Sequence, residues 1–555
     1  MKKRFISSVI ALVTTAALIA GCSVAPPDKA PVTTSDKTSN ASTTQTSTKP
    51  EPLTLPIVKD PITLKMFVAL DAKTAASRKS MADVDAVKEL AKRTNINIEF
   101  MHPASNQVAE SLNLMLASNE LPDMFSVIWS TIPGGISKLF SAGQVIDVKN
   151  DVYKYAPNYM ALAEQYPDVK KDMLTDNGEM IMMPELRLDK STLYFEGFFI
   201  RNDWLKTVGL NQPVTSDEFY NVLKAFKTQD PNGNGKADEI PFISGSDQPA
   251  VERLGVLWGI NTTWQISNCM YVDQGKVKFG PTQTEYKDYL TAMNKWYKEG
   301  LIDPDYLSTD AKGRDAKMLS ELGGVTYGKM NGQQAAYMAA MKDKNPAFDI
   351  VALSNPKAPD GKSYDLYSAN SRVSVAGVGI SSQCKYPVEA VKWLDYLYSN
   401  EGIVLSNFGI EGLSYKMENN VPVYTELVTK NPDKLSLAQA IAKYSLGGVS
   451  PRMVNDINYW NQVMQFPQQK TVFEQFSKSV KDRMLPPTSL STNEFSKSNS
   501  ILSEVKIYVE EMSARFIMGQ LPLSDFDSYI KTLTDMNINE AITIQQAAYD
   551  RYIKR

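Results

Sequence analysis

The chain has 555 residues, 43% of them hydrophobic and 22% charged, which is too long for one ordinary core and implies roughly two to four units. A formal net charge of −3 excludes a general nucleic-acid binder, which would carry a strong basic excess. A single histidine, His102, leaves a hydrolase triad or a multi-histidine zinc site only one imidazole to be built around.

Met1 to Gly21 reads as an export signal. Lys2, Lys3 and Arg4 form the positive start, Phe5 to Ala20 an uncharged apolar run, and Leu18-Ile19-Ala20-Gly21-Cys22 a small-residue cleavage site before a cysteine. This resembles a bacterial lipobox, which implies cleavage before Cys22, a diacylglyceryl thioether on its sulfur and two acyl chains holding the protein on a membrane. Residues 22–56 form a lipidated tether rich in Ser, Thr, Pro and Lys, too polar to bury enough surface to order itself. As a flexible coil it would span roughly 30 Å.

From about Leu53 strands and helices alternate. Ile62 to Val68 predicts a strand, Val84 to Arg93 an amphipathic helix, and Ile96 to Phe100 an alternating strand. Val108 to Ala117 and Asp123 to Ile128 repeat the cycle, so the first lobe is expected to hold a largely parallel sheet. Leu193 to Ile200 is a continuous aromatic and apolar run, read as a buried strand. Thr215-Ser216-Asp217-Glu218 is a capping box opening a helix to about Thr228.

Asp230-Pro231-Asn232-Gly233-Asn234-Gly235-Lys236-Ala237-Asp238-Glu239 follows directly. Asp230, Asn232 and Asn234 alternate as oxygen donors, Gly235 permits a sharp turn, and the carbonyl of Lys236 can face inward. Asp238 and Glu239 add two carboxylates. This is the spacing of a calcium loop, except that Pro241 stands where the closing bidentate Glu belongs, so Asp238 and Glu239 must complete the shell early. A plain Asn/Gly turn needs no metal. If an ion binds, its expected role is structural, because no open coordination position is evident.

Tyr286 to Glu299 predicts a helix closed by Gly300; Thr326 to Gly332, Phe348 to Leu353 and Arg372 to Ile380 predict strands; Val388 to Ser399 predicts a helix. The last third is mostly helical, with helices over Asn493 to Met518 and Leu523 to Tyr552. Cys269 and Cys384 either bridge or remain free thiols, since their spacing matches no metal or redox pattern. Gly361-Lys362-Ser363 and Gly377-Val378-Gly379 each lack a glycine needed for phosphate binding, and neither Gly-x-Ser-x-Gly nor His-Glu-x-x-His occurs.

Several segments together resemble the family 1 extracellular solute-binding lipoproteins of carbohydrate ABC importers, in the calcium-loop branch that includes alginate-binding proteins. They are Arg201-Asn202-Asp203-Trp204-Leu205 with Gly209-Leu210, Thr215 to Phe219, Asp230 to Pro241, Tyr297 to Pro304, Asn407 to Gly412 and Ala547 to Arg551. The resemblance implies an α/β fold of two lobes flanking a central cleft, joined by a hinge, with a helical C-terminal part. It implies a first lobe of 57–199 and 350–410 and a second of 200–349 and 411–555, with crossings near Leu193 to Ile200 and Asn355 to Ser371. It assigns a structural calcium to Asp230, Asn232, Asn234, the Lys236 carbonyl, Asp238 and Glu239.

By the same resemblance the protein is a monomer without catalytic residues, anchored outside the cell through Cys22. It would capture an oligosaccharide and deliver it to ABC permease subunits. Sugar faces pack on aromatic rings while their hydroxyls need polar partners. Trp129, Trp258, Trp264 and Trp460 are the stacking candidates, whereas Trp204, Trp296 and Trp393 lie in amphipathic helices and are assigned to the core. Tyr327, Asn331, Gln333, Arg372 and Glu411 are the polar candidates, Arg372 being the natural partner of a uronate carboxylate. The alternatives are a secreted carbohydrate-active enzyme and a lipoprotein sensor.

Overall fold

The computed structural model describes residues 49–555 apart from positions 105, 130, 131, 133, 134, 266 and 367–370. The export signal and Cys22 lie outside the described residues. The strands, in chain order, are β1 Ile62–Phe67, β2 Ile96–Met101, β3 Met124–Ile128, β4 Met183–Arg187, β5 Glu196–Arg201, β6 Ile240–Ile243, β7 Met270–Asp273, β8 Lys276–Phe279, β9 Gly323–Lys329, β10 Ile350–Leu353, β11 Val373–Ile380, β12 Tyr415–Glu418, β13 Val421–Tyr424 and β14 Val454–Asn455.

The first sheet runs β14-β4-β11-β3-β1-β2. β1 is parallel to β2 and β3, with Ile62 opposite Ile96. Leu64 and Met66 point into the core, and the helix Asp85–Thr94 covers them with Ala86, Val87 and Leu90 before ending at left-handed Asn95. The sheet is mixed rather than largely parallel. β11 enters from the other lobe and runs antiparallel to both β3 and β4.

The second sheet runs β10-β5-β9-β6, with only β6 and β9 parallel. Its core gathers Phe198, Ile200, Trp204, Phe219, Phe226, Phe242 and Val325. The helix Ser216–Thr228 feeds this core, and its capping box is formed: the Thr215 hydroxyl accepts from Glu218 N–H at 3.2 Å and the Glu218 carboxylate accepts from Thr215 N–H. Such a cap stabilises a helix by about 1 kcal/mol. Thr492–Ile517 packs on Thr284–Lys298 and on Ile538–Tyr552, burying Val505, Val509 and Phe516. The helical segment expected from Leu523 to Tyr552 is broken at Asn537, whose φ is +64°.

These are two lobes, between which the chain passes at 188–195, between Leu353 and Val373, and after Val463, since the helix Ile457–Val463 still packs on β13 while Met464 and Val472 join the second lobe. Two lobe boundaries differ from expectation. Ile350–Leu353 was placed with the first lobe, but as β10 it pairs with β5 in the second sheet. Residues from 411 onward were placed with the second lobe, yet Leu446, Val449 and Met453 pack in the first core and β14 pairs with β4. Cys269 and Cys384 are free thiols, Cys269 in the second core and Cys384 against the first. His102 is a structural residue: its Nδ1 meets Val68 O at 2.9 Å, its Nε2 accepts from Met81 N–H, and its ring stacks on Phe100.

Candidate functional site

Two adjoining cavities lie where the chain passes between the sheets. β4 ends at Arg187, Asp189 caps a short helical turn Lys190–Leu193, and the chain then enters β5. The run read from sequence as one strand from Leu193 is therefore a turn followed by a strand. The first cavity, about 530 Å³, is lined by Tyr166, Asp189, Arg372, Asn455, Asp456 and Phe473 among others. The second, about 370 Å³, is lined by Tyr194, Met330, Trp460, Asn461, Gln469 and Phe473. Ser191, Ile457 and Phe473 border both.

Asp456 caps the helix Ile457–Val463, accepting from Asn458 N–H at 2.6 Å and from Tyr459 N–H at 3.2 Å. That cap orients Trp460, whose ring lies 5.6 Å from Phe195. The Trp460 indole N–H is buried without an acceptor, an unfavourable state for a donor. Tyr194 packs edge-on against Phe473 at 5.6 Å, with the Lys481 ammonium 4.2 Å over its ring.

Of the residues singled out from sequence, Arg372 and Trp460 line these cavities. Asn331 stands beside the second, accepting from the Gln469 amide at 2.6 Å, and Gln333 turns back to accept from Lys329 N–H. The others line neither of the two cavities. Trp129 is buried, its indole donating to Gly377 O at 3.2 Å. Tyr327 is buried in the second core with Arg253 4.1 Å over its ring. Trp258 packs edge-on against Tyr289 and tilts against Trp296. Glu411 is exposed near the β12–β13 hairpin and lines neither cavity. Trp264 is buried against Phe279 and lines a separate cavity of about 370 Å³ inside the second lobe, with Tyr286, Tyr289, Tyr306, Glu252 and Glu510. Trp204, Trp296 and Trp393 are core residues, as expected.

The oxygen-rich loop turns on hydrogen bonds between its own side chains and backbone. Asp230 accepts from the N–H groups of Asn234 and Gly235, Asn232 accepts from Asn234 N–H, and Asn234 accepts from Lys236 N–H at 2.7 Å. Glu239 is 1% exposed and neither carboxylate oxygen has a hydrogen-bond partner. Burial pushes its carboxyl above the ordinary glutamate range; its own backbone N–H opposes this, the charges of Asp230 and Asp238 add to it, and Lys227 works against them. A buried carboxylate within electrostatic reach of Asp230 and Asp238 is donor chemistry a hard cation fits. Among the described residues no three His, Cys, Asp or Glu side chains are already gathered into a metal cluster. The amide oxygens of Asn232 and Asn234 and the Lys236 carbonyl would have to complete the shell.

Residues 78–404 match the family of bacterial extracellular solute-binding proteins. The chain belongs to that family. This solute-binding protein is 26% identical over 531 residues to FusA, the fructooligosaccharide ABC transporter substrate-binding protein of Streptococcus pneumoniae serotype 4, covering 91% of this chain and 93% of FusA. It is 26% identical over 490 residues to lipoprotein LipO of Bacillus subtilis, covering 86% of this chain and 90% of LipO. Among solved structures, alginate-binding protein AlgQ2 without calcium ion aligns with TM-score 0.69 at 24% identity, over 89% of this chain and 99% of AlgQ2. An EF-hand mutant of FusA aligns with TM-score 0.67 at 23% identity, over 89% of this chain and 100% of that one. At these identities the structures show the fold. Among the described residues no helix is long and apolar enough to cross a membrane.

Proposed function

We propose that this solute-binding protein captures an oligosaccharide outside the cell and hands it to an ABC permease. The observation that carries this is the second cavity, where Trp460, Tyr194 and Phe473 offer rings between the two lobes. Aromatic faces and amides such as those of Asn461 and Gln469 are what pyranose or furanose rings and their hydroxyls require. The relatives support the class, FusA by its fructooligosaccharide and AlgQ2 by its alginate. No catalytic group is needed, because closure of the lobes on a ligand is a population shift.

The anchoring cysteine is proposed to be Cys22, with LipO a lipoprotein relative. The loop Asp230 to Glu239 is proposed to bind calcium, which would neutralise Glu239 and brace the second sheet through the preceding helix. AlgQ2, solved without calcium ion, and the EF-hand mutant of FusA support the choice of ion. The test is a thermal-shift panel of oligosaccharides with calcium present. Stoichiometric stabilisation by one of them, without product formation, supports the reading; turnover of the sugar refutes it.

A further inference from the structure

Resting on the oligosaccharide reading, we infer that the site selects neutral over acidic saccharides, and that Asp168 enforces the choice by occupying Arg372. Arg372, in the first cavity, is the one arginine lining either cavity among the described residues. Its Nε lies 3.0 Å from the Asp168 carboxylate. Its Nη1 donates to the carbonyls of Leu188 and Arg187. Its guanidinium stacks on Tyr166 at 4.5 Å. A uronate is best held by two parallel N–H groups of one guanidinium. Here Nε faces a carboxylate and Nη1 two carbonyls that belong to the protein, so Nη2 has no free neighbour with which to make a parallel pair.

The surrounding charges point the same way. Asp189 and Asp456 line the two cavities with Lys190, Arg372 and Lys470, and Asp168, outside the lining, offsets Arg372. Asp189 and Asp456 are fixed by capping short helical turns. Lys190 and Lys470 are exposed, where an ammonium gains little from a carboxylate. An acidic sugar would surrender its hydration without gaining a dedicated partner. A neutral sugar loses only hydroxyl hydration, which aromatic faces and amides replace.

The test is calorimetric titration of the full chain, with calcium, using kestose, raffinose and maltotriose against trigalacturonate and trimannuronate. The expected result is binding of at least one neutral trisaccharide, with the acidic ones weaker by about tenfold or more. Asp168→Asn and Asp168→Ala release the Arg372 fork, and each should raise trigalacturonate affinity on the order of tenfold. Asp168 is half exposed, so the thermal transition of both variants should match the parent. Tighter binding of a uronate by the parent, or no gain in uronate affinity in either variant, overturns the inference while leaving the oligosaccharide reading intact. Failure of every saccharide to bind overturns both.

Discussion

Arg551, in the last helix, reaches Asp176 of the first lobe, its Nε 3.2 Å from a carboxylate that is only 4% exposed. The same guanidinium holds Glu494 through two hydrogen bonds of 2.9 and 2.8 Å, and Arg555 approaches Asp176 at 3.5 Å. The C-terminus therefore fastens the second lobe to the first at a point separate from the chain crossings. Arg551→Ala leaves Asp176 buried with less compensation, and should lower stability by about 1–3 kcal/mol in a urea melt. Glu494 adds a pH signature. Burial raises its carboxyl, but the bonds from Arg551 and Ser491 outweigh burial and hold it below its ordinary 4.5. That contribution is complete above pH 4.5 and is lost as pH falls through the lowered value. Acid unfolding of Arg551→Ala should accordingly begin at a higher pH than in the parent.

Removing calcium should lower the melting temperature by several degrees, since the ion would stabilise only the folded loop. Glu239→Gln gives a sign reversal. In chelator the variant should melt higher than the parent, because no uncompensated buried charge remains. In millimolar calcium it should melt lower, because a ligand is gone. Identical ordering in both buffers would refute a metal at this loop.

Trp460→Ala should weaken oligosaccharide binding by about tenfold or more, in line with a lost stacking face and the loss of a buried ring. Intrinsic fluorescence offers a direct readout, since ligand should perturb the parent emission and not that of the variant. Equal affinities for the two proteins would move the sugar site elsewhere.

Glu252 borders the separate cavity in the second lobe. Burial first, and Glu510 second, push its carboxyl up to about 7, with Arg253 and Lys506 opposing. A raised carboxyl binds its proton more tightly when folded, so stability is lost as pH rises through 7 and the penalty is absent below the ordinary 4.5. Glu252→Gln should be more stable than the parent at pH 8 by on the order of 2 kcal/mol and equal to it near pH 4.5. Denaturant melts at those two pH values decide it.

What the sequence revealed was chiefly local. The Thr215 capping box, the turn residues of the loop after Gln229 and the amphipathic helix before Asn95 depend on neighbours within a few positions, and each formed as read. The burial of Trp129, Trp264 and Tyr327 was not legible because it is decided by distant partners: the Gly377 carbonyl, Phe279 and Arg253. The same limit hid Phe473 and Tyr194 as rings lining the second cavity. The one available hint was Asp189 followed by Lys190-Ser191, a cap-and-turn pattern that interrupts the apolar run ahead of β5. The lobe boundary at β10 needed strand pairing to be seen, since Ile350–Leu353 is equally apolar beside either sheet.

The three passages between lobes also set an order of assembly. A chain made from its N-terminus has every strand of the second sheet once Leu353 has emerged, whereas the first sheet waits for β11 and finally for Val454–Asn455. The second core waits longer still, for Val505, Val509 and Phe516 and then for Tyr529 and Ile538. No contiguous fragment contains a complete first lobe without the second threaded through its middle, so the nascent chain must keep β1, β2 and β3 shielded while the later half folds.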